Sequence, residues 1–280
     1  MPNNASNIDV RPLSGALGAE VLGIDLAEEL GEDVFAAVKQ VYRDYGVIFF
    51  REQNLTPKQH VAFAERWGEI NINRFFNRVD GYPMIAEVRK EPDQKQIIGS
   101  VWHTDHSYDI APAMGSVLYA QEVPSAGGDT LFASMYRAYE TLSEGMQTML
   151  SKLKAVHSSR HVFGVGYRND LKDRFGNQEM AKQDAVHSVV INHPDTERKA
   201  LYVNPTFTTH FDGWTQEESK PLLDYLYSHA AKPEHTCRFR WRKGSIAFWD
   251  NRATLHKAIN DYPGQRRLMH RITIEGVPIS

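Results

Sequence analysis

The chain of 280 residues holds one cysteine, Cys237, so no internal disulfide can form and no thiolate-based metal motif is possible. Long apolar runs are missing as well. Val47-Ile48-Phe49-Phe50, the most apolar short stretch, falls far below the roughly 18 residues that span a bilayer. The first residues have neither the basic nor the apolar region of a signal peptide. Charge of one sign is also scarce. The 32 Lys+Arg against 35 Asp+Glu leave a net charge of −3, which offers no general attraction to nucleic acid or an anionic membrane. There is no internal repeat, low-complexity tract or Pro/Gly/Ser linker. The expectation is one domain over 1–280, placed in the cytoplasm, with no nucleic-acid and no membrane partner. Any metal must be held by histidines and carboxylates.

What is present reads as short strands with a few helices. Glu32 to Tyr45 carries Val34, Phe35, Val38, Val41 and Tyr42 at helical spacing, and Gly46 ends that helix before the strand Val47 to Phe50. Thr56-Pro57 caps a second helix through Trp67, and Thr215 caps a third over Trp214 to Ala231. Strands are expected at Tyr82 to Val88, Ser116 to Val123, Thr130 to Ala133, Val186 to Ile191, Ala200 to Val203, His235 to Trp241, Ser245 to Trp249 and Leu268 to Glu275. A mainly β fold with peripheral helices follows, a sandwich or jelly roll. Alternation from Cys237 to Arg242 puts Cys237, Phe239 and Trp241 inward and three arginines in solvent. Residues 160–184 are polar and weakly periodic, which suggests a long loop serving as a lid.

His-x-Asp occurs three times, at His103/Asp105, His193/Asp195 and His210/Asp212. Composition alone predicts roughly 0.7 occurrences, so context must choose. Proline inside the second and glycine after the third mark both as loops. His103 follows the β-prone Ile97 to Trp102, and on an extended backbone its ring and the Asp105 carboxylate share a face. Two His and one carboxylate form a facial set for Fe(II) that leaves adjacent positions open. His256, beyond the strand Ser245 to Trp249, is the candidate second histidine. Arg267 and Arg271 share a face of the last strand; on a barrel interior they would be buried with no acidic partner close in sequence, and anions are their natural complement.

Trp102-His-Thr-Asp105, Pro124-Ser-Ala-Gly-Gly-Asp-Thr130, Trp249-Asp-Asn-Arg-Ala-Thr-Leu-His256 and Gln265-Arg-Arg-Leu-Met-His-Arg271 resemble the TauD/TfdA family of Fe(II)/2-oxoglutarate-dependent dioxygenases, from about Val10 to Gly276. The resemblance implies a double-stranded β-helix, or jelly roll, with His103, Asp105 and His256 as catalytic iron ligands. It also implies that Thr130 and Arg267 hold the distal carboxylate of 2-oxoglutarate, with O2 as the other cosubstrate and succinate and CO2 released. Family-related halogenases replace the carboxylate ligand with a small residue, so Asp105 implies hydroxylation.

The substrate is expected to be a small organic anion: an aryloxy carboxylate, a sulfonate or a sulfate ester. Arg271 aligns with the sulfonate-binding arginine of taurine dioxygenase, and Phe207 with a pocket residue. Where that enzyme has histidine, tyrosine and asparagine, this chain has Asn73, Phe76 and Gly99, and His106 stands where it has valine. A larger, more apolar anion than taurine is implied. Segments such as Ile97-Ile-Gly99 and His157 to Gly164 resemble aryloxypropionate dioxygenases, making Phe163 a pocket wall. His106 is a candidate substrate contact, but next to a strand-borne ligand it should point to the opposite face, a satisfied and non-catalytic position. The chain is expected to form a homo-oligomer. Two other readings stay open: a His/Asp metal-dependent hydrolase or isomerase on a β-barrel, for which zinc would suit, and a non-catalytic 2-oxoglutarate-binding module.

Overall fold

The structure, a computed structural model, describes residues 8–165 and 176–279. Its frame is a nine-stranded sheet in the order Asp9–Pro12, Ala19–Leu22, Val47–Phe50, Ile246–Asp250, Gly115–Glu122, Arg267–Ile274, Tyr82–Lys90 and Arg78–Val79, with Ile70–Asn71 also paired to Arg267–Ile274. All pairings are antiparallel except that of Ala19–Leu22 with Val47–Phe50. A three-stranded sheet of Thr236–Phe239, Thr130–Ser134 and Thr254–Ala258 lies opposite. Phe49, Leu118, Ala247, Trp249 and Met269 from the large sheet meet Phe132, Cys237 and Phe239 from the small one in a shared core. Each inward side chain comes from a strand position whose neighbours face out, which is the period-2 logic of a sandwich. This is the jelly roll.

Helices Glu32–Tyr45 and Pro57–Glu65 cover the outer face of the large sheet, through Val34, Val38, Val41, Tyr42 and Phe63. Gly46 closes the first in a left-handed conformation, and Thr56 with Gln59 forms a capping box on the second. The third expected helix, Gln216–Ala230, is capped by Thr215 and Glu218 and buries Leu223 and Leu226. Arg238 points outward and pairs with Asp129 at 2.6 Å, while Cys237, Phe239 and Trp241 are buried.

Three local expectations are corrected. Ile97 to Trp102 forms turns rather than a strand, because Gly99 sits at φ +79° and breaks the extended path. Val186 to Ile191 divides between two sheets: Asp184–Ser188 pairs with Lys154–Ser158, whereas Val190–Asn192 pairs with Lys199–Leu201. His210 lies in the strand Thr208–Phe211, and only Asp212 and Gly213 turn. The span 160–184 holds a short helix, Arg160–Phe163, and a 3-10 turn, Gln178–Met180, while its middle, 166–175, lies outside the described residues. No helix among the described residues is long and apolar enough to cross a membrane.

Candidate active site

His103 and His256 meet across an isolated antiparallel bridge in which each backbone N–H donates to the other's carbonyl, at 3.0 and 2.7 Å. The strand Thr254–Ala258 thus carries one ligand and recruits the other, although His103 stands on no regular strand. Their rings lie 4.0 Å apart between centroids. The ligand atoms of His103, Asp105 and His256 all fall within 4.8 Å of one another, and all three residues are buried. His103 Nδ1 donates to the Val101 carbonyl at 2.8 Å, so Nε2 keeps its lone pair and faces Asp105 Oδ1 at 3.9 Å.

Electrostatics prepares the same donors. Burial lowers the pKa of His103 against the opposing pull of Asp105, and burial together with His103 drives His256 well below the ordinary imidazole value. For Asp105 burial works upward, but Arg271, His256 and His103 outweigh it and hold the carboxyl well below the usual range. Two neutral imidazoles and a carboxylate are the protonation states that a divalent metal requires. The donor set therefore fits Fe(II).

A supporting layer, not foreseen from the sequence, fixes Asp105. Ser116 Oγ donates to Asp105 Oδ2 at 2.8 Å and accepts from Asn251 Nδ2 at 3.2 Å. Asn251 Oδ1 in turn accepts from the Asp105 backbone N–H at 3.2 Å and from Trp249 Nε1 at 2.9 Å. The one signal available was the position of Asn251 inside the motif that ends at His256. A second His/Asp group, His193 with Asp195 and Asp250, is just as close-packed. Its cation is a side chain: Arg252 bonds Asp195 at 2.6 Å and Asp250 at 2.7 Å.

Two cavities meet at this centre, sharing Ile98, Gly99, His103 and Arg271. The larger, about 240 Å³, is lined by Asn73, Phe76, His106, Phe163 and Phe207 among others, so it brings together every residue expected to touch substrate. The smaller is lined by Thr130, Arg267 and His256. Arg267 is buried, with Nε and Nη2 unpartnered among the described residues, and burial lowers its pKa. Arg271 has no acid near it in sequence but meets one in the fold: its Nη1 donates to Asp105 Oδ1 at 3.0 Å, 166 positions away in the chain. Its guanidinium also stands 4.5 Å above the Phe76 ring.

His106 is corrected too. It adopts φ +59° rather than an extended conformation, and this turn swings its ring into the pocket wall. Asn73 Oδ1 accepts from the Phe75 and Phe76 N–H groups at 2.9 and 3.0 Å, which directs its Nδ2 to donate to His106 Nε2 at 3.3 Å. His106 Nδ1 then donates to Asp109 at 3.2 Å. Gly99 does more than leave room for substrate. A Cβ there would lie 3.0 Å from His103 Cε1, so the glycine clears the ligand ring.

The family model described as taurine catabolism dioxygenase TauD, TfdA family, matches residues 9–273. The chain belongs to the TauD/TfdA family. An alpha-ketoglutarate-dependent sulfate ester dioxygenase of Pseudomonas putida is 31% identical over 287 residues, covering 99% of this chain and 92% of that protein. The (S)-phenoxypropionate/alpha-ketoglutarate-dioxygenase of Sphingobium herbicidovorans is 32% identical, covering 97% and 96%. The crystal structure of a taurine dioxygenase from Burkholderia xenovorans superposes with a TM-score of 0.82 at 35% identity, over 96% of this chain and 91% of that one. This TauD/TfdA member is a dioxygenase dependent on 2-oxoglutarate, the same compound as alpha-ketoglutarate, and Fe(II), 2-oxoglutarate and O2 are its cofactor and cosubstrates. The hydrolase, isomerase and non-catalytic readings find no support among these relatives.

Proposed function

We propose that His103, Asp105 and His256 hold the iron, that Thr130 and Arg267 hold the distal carboxylate of 2-oxoglutarate, and that the enzyme hydroxylates a small organic anion with an apolar, aromatic body. Bound in that set, iron supplies the activation of O2, coupled to conversion of 2-oxoglutarate into succinate and CO2. The observation that carries the reading is the juxtaposition of three convergent donors with a buried arginine whose Nε and Nη2 have no partner among the described residues. Arg267 can clamp a carboxylate bidentately, and Thr130 adds a hydroxyl donor. Held at its far end, the cosubstrate has one orientation toward the centre.

In the larger cavity Arg271 supplies the cation for the substrate's acidic group, and Asn73 offers its remaining amide N–H. Phe76, Phe163 and Phe207 favour a ring over a short polar chain, and Phe163 stacks on Phe75 at 4.3 Å to complete that wall. Aryloxy carboxylates therefore come before taurine, with sulfate esters and other sulfonates as the remaining classes. Cytoplasmic placement suits a fold that needs no disulfide. A homo-oligomer is the proposed assembly, checked by light scattering. The test of function is a screen of these anions for succinate release matched by O2 uptake with Fe(II). Aryloxy acids should give the highest coupled turnover; absence of 2-oxoglutarate decarboxylation with every member would refute the assignment.

A further inference from the structure

Trp241 lines neither cavity, yet it touches both residues assigned to the distal carboxylate of the cosubstrate. Its indole Nε1 lies 2.9 Å from Thr130 Oγ1, and the Arg267 guanidinium carbon is 5.7 Å from its ring centroid. An indole N–H can only donate. The Thr130 oxygen is therefore the acceptor, and its own proton remains to be given elsewhere; among the described residues it has no other partner. The indole is firmly placed. It is buried, and its ring meets Phe239 edge-on at 4.8 Å, while Phe239 sits opposite Thr130 in the strand register.

We propose that Trp241 is a positioning residue for 2-oxoglutarate: its N–H turns the Thr130 hydroxyl proton into the cleft beside Arg267, so that the distal carboxylate meets two aligned donors. This rests on the cosubstrate site assigned above. A tryptophan that only filled space would affect folding and metal binding together. A positioning tryptophan affects 2-oxoglutarate alone, and only while the Thr130 hydroxyl is present.

The test is anaerobic calorimetric titration of 2-oxoglutarate into the Mn(II)-loaded full chain. Trp241→Phe should raise the 2-oxoglutarate Kd about fivefold, the loss of one ordinary hydrogen bond, with Mn(II) affinity unchanged. In turnover with Fe(II), KM for 2-oxoglutarate should rise while kcat changes less than about twofold. Thr130→Val should lose at least as much affinity, and the double variant no more than Thr130→Val alone. Unchanged affinity in Trp241→Phe or in Thr130→Val, additive losses in the pair, or a parallel fall in Mn(II) affinity would each overturn the proposal. Should Trp241→Phe not fold, Trp241→His keeps a ring N–H and is expected to retain near-native affinity; failure of both to fold makes Trp241 structural and overturns it as well. Arg267→Ala separates the two levels. If it too leaves affinity unchanged, the cosubstrate site itself is misplaced; if it and Thr130→Val weaken binding while Trp241→Phe does not, the cosubstrate site stands and only the role of Trp241 fails.

Discussion

Replacing Arg267 with methionine should weaken cosubstrate binding and stabilise the metal-free protein in the same stroke. Arg267 is 6% exposed, and its Nε and Nη2 find no acceptor among the described residues. A charge-assisted hydrogen bond to a carboxylate contributes about 1.5–3 kcal/mol, so its loss should raise the 2-oxoglutarate Kd by about 10- to 150-fold. Without cosubstrate, the same group is a desolvated cation with unmet donors, a burden of about 1–3 kcal/mol that methionine of similar length removes. In a domain of this size that corresponds to a rise in Tm of about 3 °C per kcal/mol. Calorimetric titration and thermal melts of metal-free protein measure the two effects separately. An unchanged Kd would show that the carboxylate binds elsewhere. A lower Tm would mean that Arg267 has a structural partner and that the reasoning about its unmet donors is wrong.

Arg271→Ala should spare substrate-free decarboxylation of 2-oxoglutarate but cut hydroxylation by about tenfold or more, measured as succinate against hydroxylated product; equal loss of both would make Arg271 a support for Asp105 alone. Gly99→Ala forces a left-handed residue to carry a Cβ 3.0 Å from His103 Cε1, and Mn(II) affinity should fall about tenfold; native affinity would show that His103 has slack. His60, on the buried face of the second helix, packs against Tyr119, and burial, helped by His270, lowers its pKa to about 3. Its folded value lies below the unfolded one near 6.5, so its contribution is complete above that pH and declines as pH falls toward 3, by about 2 kcal/mol at pH 5. His60→Leu should flatten that acid limb of the stability curve, and a limb of unchanged slope would assign it to other buried histidines.

The parts of the fold that were legible in the sequence are those where one periodicity governs one surface. Glu32 to Tyr45 buries a single helical stripe and stops at Gly46, and Arg267 to Arg271 turns alternate residues into the core. Where two demands overlap, the pattern misleads. Ile97 to Trp102 is rich in β-formers, but one left-handed glycine outweighs them. Val186 to Ile191 is a continuous apolar run that changes sheets after Ser188, and no local signal marks a sheet switch. The strands Lys154–Ser158 and Thr208–Phe211 are not legible in the sequence because histidines and threonines hide the alternation. At the site, the ligands and arginines stood in readable motifs. The pairing of Arg271 with Asp105, the Ser116–Asn251 support and the Trp241–Thr130 contact depend on residues more than a hundred positions apart, which no spacing reveals.

The reciprocal backbone bonds between His103 and His256 tie the two imidazoles to the sheet rather than to the ion. Stripping the site with a chelator should then leave an intact socket, ready to accept a replacement ion without refolding. The polypeptide thereby separates its endurance as a folded body from its supply of iron, and scarcity of the metal would idle the catalyst without destroying it.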